Sequence, residues 1–118
     1  MGVYVDGYIL PLQKAKIEQY RAIAQRAGEV WREHGALDYV ECIAEDVKPG
    51  ELTSFPQAVQ LKDGETVIFA WIVFKSREDR DRINALVMKD PRLVCNPDDM
   101  PFDGKRMFWG GFDEFVRV

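Results

Sequence analysis

The chain has 118 residues, 47% of them hydrophobic and 31% charged, which is the size and make-up of one globular domain around one core. Its net charge of −4 and pI of about 5.0 argue against a surface built to neutralise phosphates, so nucleic acid is not an expected partner. The longest apolar-rich run, residues 67–74, is too short to cross a bilayer. The N-terminus MGVYVDGYIL lacks the basic start and long apolar core of a signal peptide. A cytoplasmic protein with no membrane partner is expected.

Residues 3–10 are β-branched and aromatic and predict a strand ended by Pro11. Val3, Val5, Gly7 and Ile9 share one face, and Tyr4, Asp6, Tyr8 and Leu10 the other. Across residues 14–34 the apolar positions Ile17, Tyr20, Ile23, Ala24, Ala27, Val30 and Trp31 recur three and four apart, which predicts a helix. Gly35 follows, where a left-handed stop needs a residue without Cβ. Residues 36–47 read as a second strand, with Val40, Cys42 and Ala44 opposite Leu37, Tyr39, Glu41, Ile43 and Glu45. Pro49-Gly50 and Phe55-Pro56 break the chain into a loop. Residues 58–61 suggest a short extra strand that turns through Lys62-Asp63-Gly64-Glu65. Residues 66–74 form a central strand, apolar from Val67 onward, which must be covered on both faces. Ser76 opens a second helix with Asp79 three residues on, in the manner of a capping box. Ile83, Leu86 and Val87 are its apolar stripe, and Asp90-Pro91 stops it. A loop over 92–105 leads to a last strand over 106–112.

The order β-α-β-β-α-β with right-handed crossovers predicts an α+β, ferredoxin-like subunit spanning 1–118. Its four-stranded antiparallel sheet carries two helices on one face. The other face would present Tyr4, Tyr8, Tyr39, Ile43 and alternate residues of 67–74 to water, more apolar surface than a monomer exposes. A second copy, sheet against sheet in a closed twofold homodimer, covers it; long loops folded over the sheet are the alternative.

Five blocks carry a family likeness: Glu33-His34-Gly35-Ala36-Leu37 with Tyr39 and Glu41-Cys42; Thr53-Ser54-Phe55; residues 69–71; Val87-Met88-Lys89-Asp90-Pro91-Arg92; and MPFDGKRMFWGGF at 100–112. Over nearly the whole chain they resemble the YbaA-like DUF1428 family, small bacterial proteins placed among the dimeric α/β-barrel proteins. The MPFDG…GGF block is the most specific part. The resemblance implies the ferredoxin-like subunit and the sheet-to-sheet dimer, and brings no established activity. Some relatives carry a name connected with signal recognition particle RNA, which this acidic sequence does not support. Other families of the architecture include cofactor-free monooxygenases, haem-degrading enzymes, dehalogenase- and isomerase-like enzymes and ligand-binding modules, and fold alone does not choose among them.

Asp6 and Glu41 fall by parity on the barrel-facing side, among Tyr8, Tyr39, Trp71 and Trp109. A carboxylate in an apolar site has a raised pKa and can act as general acid or base, so both are catalytic candidates. A structural salt bridge to Arg106, or burial of Asp6 against tyrosine hydroxyls, is the competing reading. The four aromatic residues and Arg106 are ligand-binding candidates. His34, the only histidine, is a further catalytic candidate, although a helix C-terminus favours a cation for structural reasons alone. Gly110-Gly111 leaves space for another backbone or a ligand.

Cys42 is expected to be a buried small hydrophobe and Cys95 to sit in a Pro-rich loop; neither has zinc-site spacing. Asp98, Asp99 and Asp103 do not match a calcium loop. No P-loop or dinucleotide fingerprint is present. No metal and no cofactor are expected. Two functions remain, beside the RNA-associated protein that the name of some relatives suggests. One is a cofactor-independent enzyme acting on a small metabolite in the barrel cavity. The other is a non-catalytic dimer that binds a small ligand or a protein partner.

Overall fold

A computed structural model describes residues 2–93 and 97–118; Cys95 lies outside them. Four strands form one antiparallel sheet: β1 (Tyr4–Gln13), β2 (Asp38–Ile43), β3 (Glu65–Phe74) and β4 (Phe108–Asp113), in the spatial order β2-β3-β1-β4. Helix α1 (Ile17–Glu33) lies between β1 and β2. A one-turn helix α2 (Phe55–Ala58) precedes β3, and α3 (Arg77–Met88) follows it. No helix among the described residues is long and apolar enough to cross a membrane.

Both long helices cover the same face of the sheet. One core cluster joins Tyr4, Ile72 and Phe74 to Val30 of α1 and to Ile83 and Val87 of α3; a second joins Leu10, Leu12, Ile68 and Ala70 to Tyr20 of α1. Burying each large aliphatic or aromatic side chain here contributes roughly 1.5–3 kcal/mol. Ser76 caps α3 as expected, its Oγ accepting from Asp79 N at 3.1 Å. Gly35 ends α1 with φ +118°, and an added Cβ would stand 3.3 Å from Ile83 Cδ1. That position needs glycine for its backbone, and the contact to Ile83 would be tight for any Cβ.

Several sequence expectations need correcting. β1 does not stop at Pro11 but runs to Gln13, with Pro11 opposite Val67. β4 pairs β1 only from Tyr4 to Ile9, so beyond Ile9 β1 has a single neighbour and the missing N–H breaks no ladder. The expected strand at 58–61 does not form: α2 ends at Ala58 and residues 59–60 turn. The cap of α2 is Ser54, whose Oγ accepts from Gln57 N at 3.2 Å, with Pro56 in the first turn. The strand over 36–47 contracts to β2.

The faces are exchanged as well. Tyr4, Tyr8, Tyr39 and Ile43 were expected on the uncovered face, and all four lie under the helices. Parity grouped them correctly but could not say which side carries the helices, because β3 is apolar on both. The face left uncovered by the two long helices is instead built from Val5, Ile9, Phe69, Trp71, Phe108 and Phe112, with Phe55 of α2 packed edge-on against Phe69 at 5.9 Å. Phe69, Phe108 and Phe112 are 42, 45 and 63% exposed. Cys42, directly across from Phe69 on this face, is exposed rather than buried.

Candidate functional site

The register sets two cross-strand rows beneath the helices. One runs Glu41–Ala70–Tyr8–Trp109 and the next Tyr39–Ile72–Asp6–Gly111. Directly opposed side chains in such rows stand close enough to interact, so five of the candidate residues share one patch of sheet. Trp71 does not belong to it: it lies on the opposite, uncovered face, in the row Val40–Trp71–Gly7–Gly110.

At the β2 edge the patch opens into a cleft of about 770 Å³ between α1 and β2, within the range of ligand sites. Its walls include Leu12, Ile17, Ala24, Ile43 and Ile68. At its floor Glu41 accepts two phenolic hydrogen bonds. Tyr20 of α1 donates to Oε1, and Tyr39 of β2 donates to Oε2 at 2.5 Å. Burial first, and then the charge of Glu41, push both phenols far above their ordinary value, so both hydroxyls remain donors. Among the described residues no cation pairs with Glu41. Gly28 of α1 makes the arrangement possible: a Cβ there would stand 2.7 Å from Tyr39 Cδ1. The Tyr39 ring also meets Trp31 at 5.9 Å between centroids.

Asp6 is fully buried in a separate network with α3. It accepts from Arg80 Nη1 at 3.1 Å and Asn84 Nδ2 at 3.2 Å. Asn84 Oδ1 accepts in turn from Trp31 Nε1 at 3.0 Å. Burial raises the Asp6 pKa, against the lowering effects of the Asn84 bond and the Arg80 charge. The Arg80 guanidinium lies 5.0 Å from the centre of the Tyr4 ring and 5.8 Å from that of Trp109, within cation–π range. Its Nε stands 2.9 Å from Asp81 Oδ1 without hydrogen-bond alignment. With each carboxylate oxygen hydrogen-bonded to a side chain of α3, Asp6 fastens that helix to the sheet. The expectation that Asp6 and Glu41 face a barrel interior is therefore corrected for both. The physical reason is the same: their partners, Arg80, Asn84 and Tyr20, come from the helices.

The other candidates are dispersed. Tyr8 stacks on Trp109, with centroids 5.7 Å apart and planes 18° apart. Burial, then the charges of Asp6 and Glu41, raise its pKa. His34 Nε2 lies 3.0 Å from Asp90 Oδ2, and Asp90 also takes Arg92 at 2.7 Å; this cluster ties the end of α1 to the end of α3. Arg106 pairs with neither Asp6 nor Glu41. It reaches Glu65 Oε2 at 2.7 Å and Asp103 Oδ2 at 3.0 Å, which pins the PFDGKR turn to the start of β3. Phe102 from the same turn packs edge-on against Tyr20 at 5.7 Å. Gly110 lies on the uncovered face beneath the Phe112 ring, and Gly111 on the helix face against the Tyr4 hydroxyl. The paired glycines thus admit neighbouring side chains of this same chain.

Tyr20, Gly28, Arg80 and Asn84 were missed as site residues. Tyr20 read as one more member of the α1 apolar stripe, and Arg80 and Asn84 lie outside the apolar stripe of α3. A glycine inside a 17-residue helix was a signal for the close approach at Gly28, since it costs helix stability unless something comes near.

Residues 3–104 match the family described as "Protein of unknown function (DUF1428)". The "Uncharacterized protein YbaA" of Escherichia coli K12 and that of Shigella flexneri are each 43% identical over 113 residues, covering 96% of this chain and 97% of theirs. Among solved structures, a nipsnap family protein of unknown function from Agrobacterium tumefaciens superposes with a TM-score of 0.58 at 15% identity. That match covers 96% of this chain and 88% of the other, a likeness of fold.

Proposed function

The chain belongs to the DUF1428 family, and we propose that this protein is a homodimer of ferredoxin-like subunits that binds a small organic molecule in the α1–β2 cleft of each protomer. The observation that carries the reading is Glu41, a carboxylate held by two tyrosine hydroxyls at the floor of a cleft with aliphatic walls and a charged rim. Preset polar groups on an apolar wall are what a small-molecule site requires. Glu41 is then the orienting contact, and in a catalytic version of the site it is the proton acceptor. The dimer uses the other face. Phe69, Trp71, Phe108 and Phe112 form a hydrophobic surface that a second copy would remove from water, and this leaves both clefts open. The protein is read as soluble in the cytoplasm, in keeping with its charge and its lack of apolar spans.

A fragment screen followed by amide chemical shifts on the labelled protein tests the site. Hits are expected to move residues of α1 and β2 around Glu41 and to be lost in Glu41→Gln. Hits confined to the aromatic sheet face, or no hits, would overturn the reading.

A further inference from the structure

Resting on the cleft reading above, we propose that the ligand is an organic cation, an ammonium or comparable nitrogen base carried on an apolar body, and not an acid. The argument is one of donors and acceptors. Tyr20 and Tyr39 both spend their protons on Glu41, so their oxygens have only lone pairs left to offer. Each Glu41 oxygen retains acceptor capacity beyond the one phenol it already takes. The side-chain polar groups at the floor are therefore all acceptors, and the ligand must supply the donor.

The cationic groups on the rim do not fill this need. Arg21 is held by Glu18 at 3.0 Å, and Arg32 donates to the carbonyls of Ala36 and Leu37. Gln25 is likewise committed, to Glu29 at 3.0 Å. Four carboxylates line the cleft (Glu29, Glu33, Asp38 and Glu41) against two guanidiniums (Arg21 and Arg32). A half-buried carboxylate without a cationic partner, among apolar walls, is costly until a cation arrives. An anionic ligand would meet like charge at the floor and lose its hydration with nothing in return.

The test uses three molecules with matched apolar bodies, titrated into the full-length protein at pH 7 while amide shifts are followed: 2-phenylethylammonium, 2-phenylethanol and 3-phenylpropionate. The ammonium is expected to bind at least about tenfold tighter than the alcohol, with an affinity that falls as salt is added, and the acid to give no saturable shift. Glu41→Gln keeps the side-chain shape and should bring the ammonium down to the affinity of the alcohol. The ranking on the unaltered protein is decisive even if that variant folds poorly. Equal or tighter binding of the acid or the alcohol at the cleft would overturn the cation inference and leave the cleft reading standing. Absence of a saturable shift at α1 and β2 with all three would overturn both.

Discussion

Gly28→Ala separates local propensity from the geometry of the site, because the two predict opposite signs. In an exposed helix interior, replacing glycine by alanine stabilises by about 1 kcal/mol. Here the new Cβ would lie 2.7, 3.0 and 3.2 Å from Cδ1, Cε1 and Cγ of Tyr39, where ordinary carbon contacts are about 3.5–4.0 Å. The ring must retreat by most of an ångström. Retreat weakens its bond to the Glu41 carboxylate, and a hydrogen bond to a charged group contributes about 1.5–3 kcal/mol. Forcing the ring to stay instead costs about 1–3 kcal/mol in overpacking. Either way the loss exceeds the propensity gain, and a net destabilisation of about 1 kcal/mol is expected. Urea denaturation at fixed protein concentration measures it. Placed in a Tyr39→Ala background, the same substitution should become stabilising, so the double-mutant cycle isolates the contact. A Gly28→Ala protein more stable than the parent would show that Tyr39 does not lie over α1 as described.

Further outcomes follow from other parts of the molecule. Gly35→Ala, at φ +118° and against Ile83, should lose about 1–3 kcal/mol, and an unchanged Tm would count against that helix end. Arg106→Gln leaves Glu65 without its partner at a site where the two side chains are only 12 and 7% exposed, and should cost about 2 kcal/mol. The Arg106 bond is the main reason Glu65 titrates below its ordinary 4.5. The pair's stabilisation is therefore present above pH 4.5 and lost as pH falls through the folded value. The variant should show a flatter acid limb in a plot of stability against pH; a parallel limb would refute the assignment. Phe69→Glu, on the uncovered face, should leave the monomer folded and shift sedimentation equilibrium from about twice the 13.6 kDa chain mass to that mass itself. A variant that stays dimeric would place the interface elsewhere.

What could be read in advance was what periodicity and capping encode. The α1 stripe, the Ser76 cap, the Gly35 stop and the pairing of Asp6 with Tyr8 and of Tyr39 with Glu41 on one face all come from local rules. The side on which the helices settle does not. β3 is apolar at every position from Val67 to Phe74, so alternation on β1 and β2 fixes two faces without naming them. Asp6 was a clue: a carboxylate at mid-strand needs a long-range donor, and α3 supplies it with Arg80 and Asn84. Tyr20 was concealed for a related reason. A buried tyrosine in a helical stripe counts as core until the strand beneath it presents an acceptor. Pro11 misled because a proline ends a strand only where both edges are paired.

The central claim is that the α1–β2 cleft, not the aromatic sheet face, receives the ligand. The most direct measurement is a crystal structure of the assembled protein grown with 2-phenylethylammonium. The account predicts the ammonium against the Glu41 carboxylate at hydrogen-bond distance, about 2.7–3.0 Å, with the two sheet faces buried against each other and both clefts open. A partner chain seated across α1 and β2, or the probe bound between the sheets with Glu41 untouched, would contradict it.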